Sequence, residues 1–359
     1  MSKQKPKHIN IPVFIPHLGC PNDCVFCNQR SISGKNEFRK ESVIDEIEQC
    51  LSTASPEDTA EIAFFGGSFT GIDEDLMIYL LDVAQSYVNA GRVHSIRMST
   101  RPDYINDRIL SILSRYTVGT VELGLQSMDD SVLSVSRRGH DSATAIRACK
   151  MIKAAGYGLV GQMMVGLPES DVESEISTAR LICKLGADAA RVYPTVVFHG
   201  TELCRMAQNG EYIPLDVQDA VYRTKEVLRV FAEHRVPCIR VGLCASESLS
   251  DAEHVYGGAS QSAIGEMAMG ELYYERICHA LIRHTDNELQ GKYRFLTVTV
   301  PHGCTSKASG QKRKNKLRLA EMLGIKPEYI KIKESDMLDA LSYEIRIELK
   351  TIDGGIDCI

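Results

Sequence analysis

Three cysteines lie within the eight residues Cys20-Pro21-Asn22-Asp23-Cys24-Val25-Phe26-Cys27, in the spacing Cys-x3-Cys-x2-Cys. They directly follow a short apolar run that ends at Leu18. Three thiolates on one loop can bind a single metal centre, and a cuboidal iron–sulfur cluster normally takes four ligands. If the chain supplies three, one iron keeps an open coordination position. Such a position is a place for a substrate or cosubstrate, so the spacing predicts chemistry at this loop.

Two other interpretations fit the same eight residues. They could form a zinc knuckle with His17 as the fourth ligand, or they could be reduced structural thiols without a metal. A zinc site of this kind usually closes with a second ligand pair on another turn, and no Cys-x2-Cys pair follows later in the chain. All three interpretations stay open at this point.

Length and composition limit the class of protein. The chain has 359 residues, 44% of them hydrophobic and 25% charged, which is ordinary for a soluble globular protein. This length accommodates one large α/β domain and a small appended domain. The net charge of −6 excludes a protein that is basic overall, but it does not exclude a local basic patch.

The N-terminus does not resemble a targeting segment. Lys3, Lys5 and Lys7 precede an apolar run, but Pro12 and Pro16 interrupt it and no small-residue cleavage site follows. No stretch reaches the roughly 20 apolar residues that a membrane-spanning helix needs. We therefore expect a cytoplasmic protein with no membrane contact, in which the twelve cysteines are better suited to metal binding than to disulfides.

From Ile9 to about Val241 the sequence alternates between strand and helix patterns. Near-continuous apolar strands separated by amphipathic helices predict a parallel sheet covered by helices. Six such units predict an α/β fold, a partial (β/α)6 barrel over residues 1–245, with an open doubly wound sheet as the competing topology. The loops at the C-terminal strand ends of such sheets build the active site, and the cysteine loop and several glycine turns fall there.

After Gly242 the pattern changes, and we expect a helical connector over 246–284 and a small basic α+β domain over 285–359. Residues 301–350 contain eleven Lys or Arg and seven Asp or Glu, a local charge of +4. The densest cations form either a solvated helix face or a footprint for the phosphate backbone of RNA. No stacking aromatics interleave them, which weakens the case for single-strand recognition. These cations are Lys307, Lys312, Arg313, Lys314, Lys316 and Arg318.

The cysteine spacing, with an aromatic residue before the third cysteine, resembles the signature of the radical S-adenosylmethionine (SAM) superfamily. Further motifs in the same order resemble the radical-SAM half of the Elongator catalytic subunit, a family associated with modifying wobble uridines of tRNA. Several also resemble the oxygen-independent coproporphyrinogen oxidases. The motifs are Phe65-Gly66-Gly67-Ser68-Phe69-Thr70, Thr100-Arg101-Pro102-Asp103-Tyr104, Glu122-Leu123-Gly124-Leu125-Gln126-Ser127, Arg138-Gly139-His140, Met163-Met164-Val165-Gly166-Leu167-Pro168 and Tyr193-Pro194-Thr195.

The sequence also departs from the Elongator subunit. Its first two cysteines are closer together than in that family, and we expect no counterpart of an acetyltransferase domain in the short C-terminal region. Ser99 stands where both relatives carry glutamate, and Arg191 where the Elongator subunit has lysine. These departures bear on the substrate and the reaction rather than on the cluster.

The resemblance implies a radical SAM fold in which Cys20, Cys24 and Cys27 hold a 4Fe–4S cluster. SAM would chelate the fourth iron, and an electron from the cluster would release methionine and a 5′-deoxyadenosyl radical. It also implies that glycine backbone receives the methionyl amine, since no side chain blocks close approach. The positions implied for SAM are Phe26, Gly66, Gly67, Ser68, Gln126, Arg138 and Gln162.

The same resemblance implies RNA, in particular tRNA, as the substrate, and a flavodoxin or ferredoxin as the electron donor. Two alternatives remain: the same chemistry on a small-molecule or porphyrin-like substrate, and a non-catalytic metal-binding RNA-binding module. The sequence identifies no catalytic residue beyond the cofactor site. The reaction that follows hydrogen abstraction is therefore not predicted.

Overall fold

The computed structural model describes residues 7–15, 18–20, 24–27, 38–55, 57–243, 253–285 and 291–358. His17, which the zinc interpretation needs as a fourth ligand, lies outside these ranges. The strands of the first 258 residues are β1 (His8–Ile15), β2 (Thr59–Gly66), β3 (Ser95–Thr100), β4 (Val118–Gln126), β5 (Gly158–Val165), β6 (Ala189–Pro194), β7 (Val196–Phe198), β8 (Cys238–Val241) and β9 (Val255–Gly258).

Seven of these strands form one parallel sheet in the order β1-β2-β3-β4-β5-β6-β8. Neighbours therefore follow chain order, as in a barrel wall, whereas a doubly wound sheet reverses its order at a switch point. This confirms the predicted partial barrel and removes the competing topology. All six predicted strands are present, and the short strand β8 adds a seventh at the edge.

Helices connect the strands and cover one face of the sheet. The N-termini of several are capped by Asp or Asn side chains, such as Asp73, which accepts a hydrogen bond from the Leu76 amide at 3.1 Å. The helices are α1 (Val43–Ser52), α2 (Glu74–Asn89), α3 (Asp107–Leu113), α4 (Asp130–Val135), α5 (Ser142–Ala154), α6 (Val172–Lys184), α7 (Glu202–Gln208), α8 (Val217–Glu233), α9 (Ile264–Thr285), α10 (Thr305–Ser309) and α11 (Lys314–Leu323).

The two faces of the main sheet differ in chemistry because successive strand residues point to opposite sides. One face carries buried aliphatic residues such as Ile62, Ile96 and Val121, which pack against the helices in the largest hydrophobic core. The other, inner face carries charged residues, among them Glu61 and Glu122, which both pair with Arg97. The inner face is thus the side on which polar chemistry can occur.

A small second sheet forms the C-terminal region. Its strands are β10 (Tyr293–Pro301), β11 (Ile330–Ser335), β12 (Arg346–Thr351) and β13 (Ile356–Cys358), in the order β11-β10-β12-β13. Strands β10 and β11 are parallel, and the other two pairs are antiparallel. This agrees with the expected α+β architecture, and the short strand β13 was not predicted.

Helix α9 joins the two parts of the chain. Its first half packs Ile264 and Ala268 against α8, and its second half packs Ile277 and Leu281 against the C-terminal sheet. The helix therefore belongs to both hydrophobic cores.

The predicted domain boundaries at residues 245 and 284 remain a proposal. Among the described residues, no helix is long and apolar enough to span a bilayer.

Candidate cofactor site at the strand ends

The loops after β1 and β2 meet at the C-terminal edge of the main sheet. The Gly67 amide donates to the Ile15 carbonyl at 2.8 Å, and the Ser68 amide donates to the Leu18 carbonyl at 3.1 Å. These two backbone bonds dock the start of the cysteine loop on the turn that ends β2. The sequence folds this way because β1 and β2 are parallel neighbours, so their following loops leave the sheet side by side.

The three cysteines occupy different environments. Cys24 is buried, Cys20 is half-buried, and Cys27 is exposed after a turn in which its amide donates to the Cys24 carbonyl at 2.9 Å. Within the described ranges, no three side chains of His, Cys, Asp or Glu come together closely enough to hold a metal ion. The structure thus buries Cys24 and half-buries Cys20, while Cys27 stays exposed.

Two buried arginines accompany the two inner thiols. Arg138 donates from Nη1 to the Cys24 Sγ at 3.1 Å and from Nη2 to the Gly124 carbonyl at 2.7 Å. Burial raises the pKa of the Cys20 thiol above its usual value, and the positive charges of Arg101 and Arg138 offset only part of that rise. The two guanidinium groups therefore act in favour of the Cys20 thiolate, the form that metal binding requires, and against the effect of its burial. Arg101 was quoted only as part of a motif, and its place beside the thiol was not predicted.

Arg101 is itself held in place by a carboxylate and a backbone oxygen. Its Nε and Nη2 donate to Asp103 at 3.0 and 2.9 Å, and Nη2 also donates to the Arg138 carbonyl. The side chain is nearly fully buried. Arg101 and Arg138 consequently form one fixed cationic unit next to the cysteine loop.

Four polar atoms around this unit are buried and have no hydrogen-bond partner among the described residues. They are Arg101 Nη1, Gln126 Oε1, Arg138 Nε and His140 Nε2. Leaving such atoms unpaired costs free energy, so a cluster of them indicates a polar group that the protein chain alone does not supply. Together with the thiols, these atoms fit an anionic cluster and a polar cosubstrate.

Gln126 and His140 add two further features. Gln126 ends β4 with a φ of 66°, a left-handed conformation that is uncommon outside glycine and persists only where the surroundings enforce it. Burial and then the charge of Arg138 lower the pKa of His140 to about 4, so its ring is neutral near pH 7. The unpaired His140 nitrogen is therefore an uncharged group next to two cations.

The glycine turn after β2 has a clear packing role. A Cβ atom on Gly67 would lie 2.0 Å from the Leu18 carbonyl oxygen, and one on Gly66 would lie 2.5 Å from the Ile15 oxygen. Ser68 uses its hydroxyl within the protein, at 2.8 Å from the Thr100 hydroxyl, and accepts from the Arg101 amide at 3.1 Å. The turn therefore holds the cysteine loop; contact of these residues with SAM remains a prediction.

Phe26 and Gln162 occupy different parts of the site. Phe26 packs against the apolar group around α7, where the Leu203 amide donates to the Val25 carbonyl at 2.8 Å. Gln162 lies on β5, opposite Gly124 on one side and Arg191 on the other, and so shares the inner face with them. Both positions border the site, and their predicted roles in SAM binding are untested.

The turn after β5 is fixed by a buried network. The Gly166 amide donates to Glu175 Oε1 at 2.6 Å, and the Tyr212 hydroxyl donates to the Gly166 carbonyl at the same distance. Arg223 donates to Glu175 Oε2 at 2.9 Å. This network positions the Gly166-Leu167-Pro168 turn at the edge where the other loops meet.

A chain of buried charges crosses the inner face, and sequence reasoning missed it. Arg97 donates to Glu61 at 3.1 Å and to Glu122 at 2.8 Å, and Arg191 Nε lies 3.1 Å from the other Glu122 oxygen. Arg191 also stacks over the Phe65 ring, 5.3 Å from its centroid. The charged residues at alternate positions of apolar strands were the feature of the sequence that could have indicated this network. Which of them are neighbours depends on the register of the strands.

Glu122 holds this network together, so its replacement by alanine should strongly destabilise the protein. The change leaves two largely buried guanidinium groups without their shared carboxylate and should lower the free energy of unfolding by about 3–5 kcal/mol. Urea denaturation measures the difference. The control is Glu74→Ala, which breaks the exposed pair of Glu74 with Arg108 and should cost about 0–1 kcal/mol. Equal losses in the two variants would contradict a buried network.

Two protein-family models match this chain, and they cover the site described above. The family model "Radical SAM superfamily" matches residues 14–182, and "Radical_SAM C-terminal domain" matches residues 187–275. The chain belongs to the radical SAM superfamily. The matched region begins in β1 and includes the cysteine loop and both arginines. The superfamily resemblance read from the motifs is therefore confirmed.

Individual relatives show which members of the radical SAM superfamily this chain is similar to. An uncharacterized protein of Methanocaldococcus jannaschii is 30% identical over 67% of this chain and 76% of its own length. The tRNA uridine(34) acetyltransferase of the same organism is 28% identical over 49% of this chain and 36% of its own length. The chain thus aligns with about a third of that enzyme. These matches confirm the Elongator-like resemblance.

A solved structure shows the same fold over almost the whole chain. The archaeal Elp3 of Methanocaldococcus infernus, with an N-terminal deletion, superposes with a TM-score of 0.60 at 19% identity, covering 98% of this chain and 76% of that one. At this level of identity the similarity concerns the fold. It supports the half-barrel architecture of this radical SAM protein.

Proposed function

We propose that this protein is a radical SAM enzyme that binds a 4Fe–4S cluster through Cys20, Cys24 and Cys27, cleaves SAM reductively, and acts on RNA. When bound, the cluster supplies the electron that splits SAM into methionine and a 5′-deoxyadenosyl radical. The observation that carries the proposal is the pair of buried arginines beside two of the cysteines, with unpaired polar atoms around them. Electron transfer from a flavodoxin or ferredoxin is part of the proposal.

The residues of this chain would perform three tasks at the site. Arg101 and Arg138 oppose the effect of burial on the Cys20 thiol and offset the negative charge that a thiolate-bound cluster brings into a buried position. Gln126 Oε1 and Arg138 Nε offer an acceptor and a donor to a polar cosubstrate such as SAM. The inner face of the half-barrel, with Phe65 and Arg191 stacked, limits the access of water to a reactive species.

The proposal of an RNA substrate rests on the relatives rather than on the cofactor site. Among the relatives are tRNA uridine(34) acetyltransferase and Elongator complex protein 3, and their alignments cover 49% and 46% of this chain. Because the chain aligns with only about a third of the first of these, its substrate and product need not be the same. RNA with tRNA-like structure is the substrate class that these names support.

The test has two stages. Purified protein is reconstituted anaerobically with iron and sulfide, reduced with dithionite and incubated with SAM, and 5′-deoxyadenosine should form. Unmodified tRNA is then added, and mass spectrometry of the digested nucleosides should show a changed mass. A protein that binds only zinc, or that leaves SAM intact, would overturn the enzyme proposal. SAM cleavage without any change in RNA would overturn the RNA part alone.

A further inference from the structure

The C-terminal sheet has one packed face and one exposed face. Leu296, Val298 and Val300 of β10 point into a hydrophobic core with α9 and α11. The alternate residues Phe295, Thr297 and Thr299 point to the opposite side because side chains alternate along a strand. That side, which we call the open face, is defined by these residues and their neighbours on β11, β12 and β13.

The strand register places four cations on the open face. Lys331 lies opposite Thr297, Lys333 and Arg346 flank Thr299, and Lys350 lies opposite Phe295. The four side chains belong to exposed residues. They come from two strands separated in sequence but placed on either side of β10, so their proximity was not visible in the sequence.

These cations are largely uncompensated. The carboxylate of Glu348 shares the open face and lies 3.9 Å from Lys350. Lys331, Lys333 and Arg346 have no ion-pair partner in the part of the chain that the structure describes. A sheet face with four cations and one carboxylate attracts a polyanion, although the whole chain carries a net charge of −6.

An aromatic pair lies among the cations. The ring of Phe295 contacts that of Tyr329 edge-on, with centroids 4.9 Å apart, and the Arg294 guanidinium lies 5.4 Å from the Phe295 centroid. Ile356 is opposite Lys350 on the edge strand and is 56% exposed. Bases of single strands stack on aromatic side chains on exposed sheet faces, with cations along the backbone.

The cation cluster identified in the sequence, residues 307–318, is partly engaged in ion pairs within the protein. Lys314 and Arg318 both pair with Glu271, at 3.1 and 2.7 Å, and Arg318 lies over the Tyr274 ring. The single carboxylate of Glu271 thereby offsets part of the charge of two of the six cations in that cluster. Lysines two residues apart on a β-strand, such as Lys331 and Lys333, are in contrast about 6.6 Å apart. This distance is similar to the spacing of successive phosphates in an extended nucleic acid chain.

We propose that the open face binds a single-stranded segment of RNA, with its cations on the phosphates and Phe295 stacked against a base. The proposal rests on RNA being the substrate class of this enzyme, and it assigns the surface that holds that substrate. On the open face, single apolar side chains lie between cations. This arrangement suits a nucleic acid strand better than a lipid bilayer, because binding to a bilayer requires a continuous apolar face.

The first test compares two sets of substitutions with the same change in charge. Full-length protein without cluster is titrated against a fluorescent 12-nucleotide RNA at several salt concentrations. Lys331→Ala, Lys333→Ala, Arg346→Ala and Lys350→Ala combined should weaken binding about 100-fold and reduce the slope of log Kd against log salt by about 3. The control set is Lys307→Ala, Lys312→Ala, Arg313→Ala and Lys316→Ala, for which less than about a fivefold loss is expected.

The second test removes the stacking surface and keeps the charge. Phe295→Leu should weaken binding of the same RNA about tenfold and leave the salt dependence unchanged, because stacking does not release counterions. A duplex of the same sequence should bind the wild type more weakly than the single strand. Circular dichroism and thermal unfolding show whether each variant is folded.

The outcomes separate this proposal from the proposed enzyme activity. Binding lost in the control set and kept in the open-face set would overturn the open face as the RNA surface. Unchanged RNA binding by Phe295→Leu would overturn single-strand recognition. Equal binding of the duplex and the single strand by the wild type would do the same. Binding to vesicles containing anionic lipid, without binding to RNA, would replace RNA by a membrane. None of these results depends on SAM cleavage, which is measured independently.

Discussion

Replacing Cys20, Cys24 or Cys27 by alanine, one at a time, is expected to remove the cluster and with it all cleavage of SAM. Each change leaves two thiolates where the site needs three. Losing a group that only supports a metal ligand commonly costs 10–100-fold in affinity, so losing a ligand itself should reduce bound iron by more than about 100-fold. Iron and sulfide content after anaerobic reconstitution measures the first effect, and 5′-deoxyadenosine formation measures the second.

The matched control is Cys50→Ala, which removes a half-buried thiol from α1 and should keep both iron and activity. The result for Cys27 is the most informative, because this thiol is exposed while the other two lie inside. Full iron content in Cys27→Ala would show that the third ligand is not this residue. Full zinc content without iron in the wild type would instead favour the zinc interpretation.

Much of the half-barrel was predictable because its strands are continuous apolar runs bounded by turn residues. The segment Ser95–Thr100, for example, forms a strand, and Glu202–Gln208 forms a helix. Short edge strands such as β8 and β13 were missed, since three or four residues carry too little pattern to be recognised. Their pairing depends on a partner strand that the local sequence does not specify.

The candidate site was predictable only as a set of loops. The order of the motifs indicated which loops meet, but the contact between Arg138 and Cys24 joins residues 114 positions apart and needs the folded sheet. The same holds for the charge network through Glu122 and for the open face, where Lys331 and Lys350 become near neighbours only through β10. Register, rather than composition, makes these surfaces.

Gly67→Ala is expected to empty the metal site although it changes no metal ligand. The added Cβ would lie 2.0 Å from the Leu18 carbonyl oxygen, and hydrogen bonds hold the backbone in place at both Gly67 and Leu18. The cysteine loop must therefore move away from β2, which carries Cys20 and Cys24 away from Arg101 and Arg138. Bound iron should fall below about a tenth of the wild-type amount, since displaced ligands and lost supporting groups act together.

This variant also separates two explanations of the same glycine. If Gly67 only leaves room for the methionyl amine of SAM, Gly67→Ala should keep its iron and lose SAM affinity, which equilibrium binding measures. If Gly67 docks the cysteine loop, iron is lost first. The control is Gly257→Ala, where the new Cβ would meet only ordinary contacts at 3.7 and 3.8 Å, and iron should be retained. Because the close contact is between two backbone segments, loop docking is the outcome that the packing favours.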